Sequence, residues 1–456
     1  MEEQKSKIIT KSPGKSLLSG GYLILDKSKR GLVINIDAYI TCESFIIYQE
    51  KNNNNNLILN ITSEYLNETF TYIAYIEQVN NEDNNKEDLK ELKIIEKNNR
   101  NNKWIQNCII SSLLFYLTQK EKSINILFNG ERKIEINMII KSDYRFYSFS
   151  KEYTSKNIKT GLGSSSALIS SLTTNMILIY DYLYQNKKIK KIVIRDIEDK
   201  TMQAIILGSC LLSNNLSQNK IGSCFDIISS LFGSQIFIQT KKNIFLNSPF
   251  YLNNDNIKNI NDIIIYLKNE YIPNIKFLKK DNIFLKNNIS FISIEMGSDT
   301  RIFVKKVLEY ANRKKNKQLF DDKLFSELNN LNEQIINVFI NNINNDELLI
   351  DLCKKYRNYL RLISTESNVD IEPKQLTPLL DKLISNKNII YSICPGAGGY
   401  DSIISMGNGN TKKDEIINDI QQIINEFNIN NKNKGINIKA NLLDVNIAKD
   451  FGTILA

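Results

Sequence analysis

Apolar and polar residues are arranged in two ways along this chain, and the change from one to the other outlines its organisation. Residues 7–75 are strand-like: β-branched and aromatic residues alternate with polar ones, or run together between Gly and Asn, at 7–10 (KIIT), 16–25 (SLLSGGYLIL), 31–48 and 57–75. Helical spacing appears at 104–117, and two further strands, 123–128 (SINILF) and 133–140 (KIEINMII), precede a glycine loop at 159–168. A largely apolar helix leaves that loop, another covers about 195–212, and residues 221–239 (IGSCFDIISSLFGSQIFIQ) read as loop, short helix and strand.

After about residue 241 the pattern restarts. A strand at 287–297 is followed by helices at 299–312, within 324–363 and at 373–384. A strand at 388–394, a second glycine loop, a strand at 402–407, a helix at 414–427 and a strand at 435–443 complete the order. This succession predicts two α+β domains, 1–240 and 241–456, with no repeat of solenoid period. Asn-rich stretches at 52–56, from 79, from 97 and from 430 read as surface loops of a compositionally biased chain, with no function attached.

With 42% hydrophobic and 24% charged residues, the 456-residue chain has ample material for packed cores. Its 59 Lys and Arg are interspersed with acidic residues, so the net charge of +9 forms no basic arm. Mild basicity suits an anionic small molecule; no basic stripe or nucleic-acid motif is present, and no nucleic-acid partner is expected. No run of 18 apolar residues occurs, and the opening MEEQKSKIITKSPGK has neither a signal core nor a transit composition, so no membrane association and a cytoplasmic location are expected. The six cysteines, Cys42, Cys108, Cys210, Cys224, Cys353 and Cys394, form no CxxC pair and read as buried free thiols. Histidine is absent, which excludes Ser-His-Asp and Cys-His catalysis and removes the commonest transition-metal ligand. Chemistry here must rest on positioning and charge.

Residues 159–168 (KTGLGSSSAL) combine backbone freedom at Gly161 and Gly163, hydroxyls at Ser164, Ser165 and Ser166, and an apolar helix start at Ala167. Free N–H groups at such a helix start favour a polyphosphate, although a serine cap after glycine is also a common purely structural device. Two familiar nucleotide motifs fail. A P-loop ending at Lys15-Ser16 would need Gly at position 9, which is Ile9, and the third glycine of GxGxxG falls on Ser166.

Three segments in order, 12–26 (SPGKSLLSGGYLILD), 159–168 and 394–402 (CPGAGGYDS), resemble the motifs of the galactokinase, homoserine kinase, mevalonate kinase and phosphomevalonate kinase (GHMP) superfamily across nearly the whole chain. GGYLILD at 20–26, KIGSCFDIISSLFGS at 220–234 and IEPKQLTPLLD at 371–381 are similar to the phosphomevalonate kinase family in particular, with Cys224 where that family usually has glycine. The resemblance implies a two-domain GHMP kinase fold, with a ribosomal protein S5 domain 2-like first domain and a ferredoxin-like α+β second domain. It implies transfer of the γ-phosphoryl of MgATP to 5-phosphomevalonate, by a monomer or homodimer; mevalonate kinase and a catalytically silent ligand binder are the alternatives. By the same resemblance Lys15 neutralises charge on the transferring group, and Asp226 orients Lys15 and the acceptor, with proton removal secondary. Lys159, Gly161, Leu162, Gly163, Ser164, Ser165, Ser166 and Ala167 would hold ATP, and Ser165 would hold Mg²⁺. Gly20, Gly21, Tyr22, Lys220, Ser223, Arg301, Gly396, Ala397, Gly398 and Gly399 would meet the acceptor.

Overall fold

The computed structural model describes residues 7–50, 56–79, 89–98, 100, 102–128, 132–148, 158–186, 192–218, 223–240, 251–252, 254–279, 281–285, 288–296, 298, 300–313, 322–449 and 452–455. The Asn-rich stretch at 52–56 and that starting at 79 fall almost wholly outside these residues, as does Lys220.

The first sheet is built from β1 (Lys7–Ser19), β2 (Arg30–Glu50), β3 (Leu57–Ser63), β4 (Glu68–Val79), β5 (Leu89–Glu96) and β6 (Arg132–Ser142), in the order β5-β4-β3-β6-β2-β1. Only the β3–β6 pair among these is parallel. At its start β1 exposes Lys7 and Lys11 and buries Ile8, Thr10 and Ser12, the two-residue period of a strand covered on one face. The cover is helical: α1 (Lys103–Gln119), α2 (Ser164–Gln185) and α3 (Lys200–Gln218) pack on one another, and α2 lies on β1 and β2. From Ile169 to Tyr180 every residue of α2 is buried, the polar Ser170, Ser171, Thr173, Thr174 and Asn175 together with the apolar residues around them. Its register on the sheet is fixed by polar contacts. The Thr10 hydroxyl donates to the Ser171 carbonyl at 2.9 Å, and the Asn175 amide donates to the carbonyl of Cys42 at 3.0 Å.

The short helix α4 (Phe225–Phe232) follows, and then the C-terminal layer. It comprises β7 (Ile289–Ile294), α5 (Thr300–Arg313), α6 (Lys323–Ile340), α7 (Asp346–Ser367), α8 (Thr377–Ser385), β8 (Ile389–Ile393), β9 (Ser402–Gly407), α9 (Lys413–Asn433) and β10 (Ala440–Leu443). The second sheet is antiparallel, ordered β8-β9-β7-β10. Adjacent residues serve opposite faces: Ile403 packs under α8 and α9, while Ile404 joins the larger core shared with the first sheet. A final strand, β11 (Ile454–Leu455), returns to the first sheet and pairs antiparallel with β1. All six cysteines are buried and none forms a disulfide, and no helix among the described residues is long and apolar enough to cross a membrane.

The mixed α+β architecture matches the sequence expectation; several local features differ. Residues 123–127 form a helix, not a strand, and bury Ser123 and Leu127, four apart on one helical face. The segment expected as one strand at 16–25 stops at Ser19, because Gly20 and Tyr22 adopt positive φ (94° and 59°) and Leu23–Leu25 then turn as a single 3₁₀ segment. The Asn-rich stretch from 430 belongs partly to α9, since Asn431 donates to the Ile438 carbonyl and so ties the helix end to the approach to β10. The strand β5 and a helix at Asn254–Tyr266 have no counterpart in the sequence pattern.

Candidate active site

A cavity of ≈ 440 Å³ opens between the two sheets, lined by residues from all three glycine-containing segments and from α3, α4 and α5. Lys15 lies on β1 just past a register shift between Pro13 and Gly14, where Pro13 faces Tyr39 but Gly14 faces Ile36. Such irregularities bend a strand and re-aim its side chains. The Lys15 N–H donates to the Leu162 carbonyl at 2.9 Å, which locks the strand to the first glycine loop. Gly163 (φ 82°) sits directly against the lysine stem: a Cβ there would fall 2.7 Å from Lys15 Cε. The ammonium lies 4.9 Å from the centre of the Phe225 ring. Burial pushes its pKa below the ordinary lysine value, while the charges of Asp226 and Asp401 pull it back up.

The first glycine loop ends on Gly163, which caps α2 in a left-handed conformation with no side-chain hydrogen bond to the helix start. The first N–H groups of α2 therefore lack the side-chain acceptor that usually satisfies them, a suitable arrangement for an anion. Of the three serines, Ser165 lines the cavity. Ser166 is fully buried and bonds inward, to the Gly163 carbonyl at 2.8 Å and to the Ser230 hydroxyl at 3.3 Å, and Ser164 is also buried. Leu162 and Ala167 belong to the core, and Gly161 lines the cavity. Lys159 contributes its backbone to a two-residue strand paired with Tyr147–Ser148; its side chain lies outside the described atoms.

Asp226 occupies the first turn of α4 and lines the cavity with Ser223 and Cys224. Cys224 precedes the helix at φ 58°, the left-handed conformation for which glycine is the usual residue. Tyr22 also lines the cavity, and its hydroxyl donates to the Ala397 carbonyl at 2.7 Å. Gly20 and Gly21 stand behind it: the Gly20 N–H donates to the Tyr356 hydroxyl at 2.9 Å, and a Cβ on Gly21 would come within 2.3 Å of the Gly396 carbonyl oxygen. Gly396, Ala397 and Gly398 form the opposite rim, whereas Gly399 lies beneath it against Ile371, whose carbonyl accepts its N–H at 2.9 Å. Arg301 is exposed at the start of α5, one turn before Val304, which does line the cavity.

Asn214, Gln218 and Asp401 are among the cavity residues that the sequence pattern does not single out. Asn214 and Gln218 lie four apart on α3 and present one amide wall, joined by a 2.6 Å hydrogen bond. Asp401 ends the second glycine loop, and its carboxylate accepts from the Ser298 N–H at 2.7 Å. Burial pushes its pKa up to about 6, against the opposing pull of that N–H and of Lys15. The folded value exceeds the unfolded one, so its stabilising effect is complete below about 3.8 and is lost as pH rises through about 6. Asp401→Asn should therefore melt with the parent near pH 4 and be more stable by about 1–3 kcal/mol at pH 8, a thermal-melt comparison that an equal offset at both pH values would refute.

Ser165, Asp226 and Asp401 offer hydroxyl and carboxylate oxygens to one cavity, the donor type Mg²⁺ prefers. Among the described residues, no three His, Cys, Asp or Glu side chains cluster as a self-sufficient metal site.

No protein-family model matches the chain. It is 25% identical over 421 residues to a phosphomevalonate kinase of Gibberella zeae, covering 87% of this chain and 86% of that protein. It is also 25% identical over 441 residues to that of Aspergillus fumigatus, covering 86% and 85%. Among solved structures, a Lin0012 protein from Listeria innocua superposes with a TM-score of 0.59 at 18% identity, over 97% of this chain and 99% of that one. Streptococcus pneumoniae phosphomevalonate kinase in complex with phosphomevalonate and AMPPNP superposes with a TM-score of 0.51 at 13% identity, over 97% and 100%. The chain thus carries the GHMP kinase fold, and its sequence is similar to phosphomevalonate kinases over most of its length.

Proposed function

We propose that this chain is an ATP-dependent phosphomevalonate kinase that transfers the γ-phosphoryl of MgATP to (R)-5-phosphomevalonate, giving (R)-5-diphosphomevalonate and ADP in isoprenoid biosynthesis. The observation that carries this reading is the convergence of Lys15, Asp226, Ser165 and both glycine loops on one cavity, in a chain similar to fungal phosphomevalonate kinases. The uncapped start of α2 and the backbone of the first glycine loop hold the nucleotide phosphates. Lys15 supplies the fixed positive charge that stabilises the transferring phosphoryl group. The acceptor is a phosphate monoester with a second pKa near ~6, already mostly dianionic at neutral pH, so the reaction needs little base catalysis. Asp226 accordingly orients Lys15 and the acceptor, and proton removal is secondary. Ser165 would hold Mg²⁺, which neutralises the nucleotide phosphates when bound. Tyr22, Ser223 and the rim at Gly396–Gly398 take the acceptor.

A coupled assay of ADP release, offering 5-phosphomevalonate and mevalonate separately, tests the reading. ADP release with phosphomevalonate, abolished by EDTA and restored by excess Mg²⁺, is expected. Turnover of mevalonate alone would reassign the chain to mevalonate kinase. Binding of both ligands without ADP release would make it a silent member of the fold.

A further inference from the structure

Tyr22 sits at a point of backbone strain. Its φ of 59° and ψ of −43°, with the Leu23 N–H donating to the Gly21 carbonyl at 2.7 Å, make a γ-turn of the form that a bulky residue rarely adopts. The turn is held from outside. The Gly20 N–H donates to the Tyr356 hydroxyl at 2.9 Å, the Ser19 hydroxyl donates to Asn332 at 2.7 Å, and the Leu18 carbonyl accepts from the Tyr391 hydroxyl at 2.7 Å. A glycine, like Gly20 at φ 94°, carries such a backbone without strain, so what tyrosine contributes here is its side chain. That side chain is almost fully buried, and its hydroxyl gives its one proton to the Ala397 carbonyl. Only lone pairs are left for a ligand, and lone pairs repel an anion.

The Ala397 carbonyl belongs to the second glycine loop, whose N–H groups are mostly spent within the protein. Those of Gly396, Gly398 and Gly399 donate to the carbonyls of Leu17, Pro395 and Ile371, at 3.3, 3.1 and 2.9 Å, and among the described residues the Ala397 N–H alone of the four has no acceptor. Ala397 lines the cavity, so this N–H is the donor the loop can offer to an anionic oxygen. Its direction follows from the peptide planes on either side. The Gly396 carbonyl, trans to it, is seated against Gly21, where a Cβ would come within 2.3 Å of the oxygen, and the Ala397 carbonyl is held by Tyr22. We infer that Tyr22 is a positioning residue that aims the Ala397 N–H at the acceptor: its hydroxyl fixes one flanking peptide, and its strained turn seats Gly21 on the other. Strain beside β1 thus sets a donor that belongs to the opposite layer.

This inference rests on the acceptor reading of the Gly396–Gly398 rim, so one of its measurements needs no turnover. In full-length Tyr22→Phe, which loses the hydroxyl and keeps the ring, amide hydrogen exchange in peptides covering 394–402 should quicken about tenfold, with peptides from α2 and α9 unchanged. In the ADP assay KM for 5-phosphomevalonate should rise about tenfold, with KM for ATP within about twofold and the melting temperature within about 3 °C of the parent. Exchange that is unchanged at 394–402, or equally quickened in α2 and α9, overturns the inference whether or not the protein proves to be a kinase. So does a KM for phosphomevalonate within about threefold of the parent, or an equal rise in both KM values. A melting temperature lower by more than about 3 °C makes Tyr22 a structural residue and overturns it too. If the parent turns over no phosphomevalonate, the proposed function falls, and the exchange measurement alone decides whether Tyr22 sets the loop.

Discussion

Replacing Lys15 with methionine is expected to lower turnover about 10³-fold and leave the melting temperature within a few degrees of the parent. The activity loss follows from the chemistry: a single fixed donor or cation aimed at developing phosphoryl charge is worth about 10²–10⁵ in rate. The unchanged stability follows from the surroundings. Methionine matches the lysine stem in length, keeps the packing against Gly163 and replaces a contact between the ammonium and the Phe225 ring with a sulfur–aromatic one. It also removes a charge that burial disfavours. Kinetics and thermal melts on the same preparation check both halves. A drop of more than about 10 °C would make Lys15 a structural residue, and turnover within tenfold of the parent would remove it from the chemistry.

The second large effect is on stability, and it arises beneath the second glycine loop. Arg357 is fully buried on α7; its guanidinium donates to both carboxylate oxygens of Glu372, at 2.9 and 2.7 Å, and to Asp381 at 2.8 Å. Arg361 adds a further bond to Glu372 at 3.0 Å. Glu372→Gln leaves the Arg357 charge buried without its main partner, which costs about 3–5 kcal/mol, or roughly 3–5 °C in melting temperature for a chain of this size melting as one unit. Glu372 adjoins Ile371, whose carbonyl holds the Gly399 N–H, so KM for the acceptor should rise while KM for ATP changes little. The double variant Arg357→Met with Glu372→Leu should recover most of the lost stability, because an apolar pair replaces an ionic one without leaving an orphan charge. A double variant no more stable than Glu372→Gln would count against this account.

Much of the site was legible from local sequence because its parts are backbone features. Glycine spacing and a serine-led helix start announce an anion site, and the absence of histidine limits the chemistry that can follow. Asp401 escaped notice although CPGAGGYDS was recognised: an Asp after a glycine loop looks like an ordinary turn residue, and only the seating of Gly161 against Ser402 brings it toward Lys15. Asn214 and Gln218 escaped for a similar reason, since two amides on a helix carry no motif and acquire meaning only from the wall they form. The strand expected at 123–128 failed on composition. Two isoleucines suggested β-structure, but burial at Ser123 and Leu127 rewards a helical spacing of four. For Ser165 the structure narrows a choice that sequence left open, because the neighbouring serines spend their hydroxyls or their surface on the interior.

The return of β11 to β1 bears on how the protein comes to be active at all. The Ser12 and Thr453 hydroxyls meet at 2.7 Å across 441 positions of sequence, and Thr453 also bonds to the backbone of Ser230 and Leu231 on α4. The strand that carries Lys15 and the helix that carries Asp226 are thus tied together by a segment that closes a very long loop, the kind of contact that forms late and slowly. Until it forms, β1 is an open sheet edge and the two charged residues have no common frame. Competence for phosphoryl transfer and completion of folding then coincide, and a partly folded chain that already binds nucleotide through its first glycine loop would have no means of consuming it.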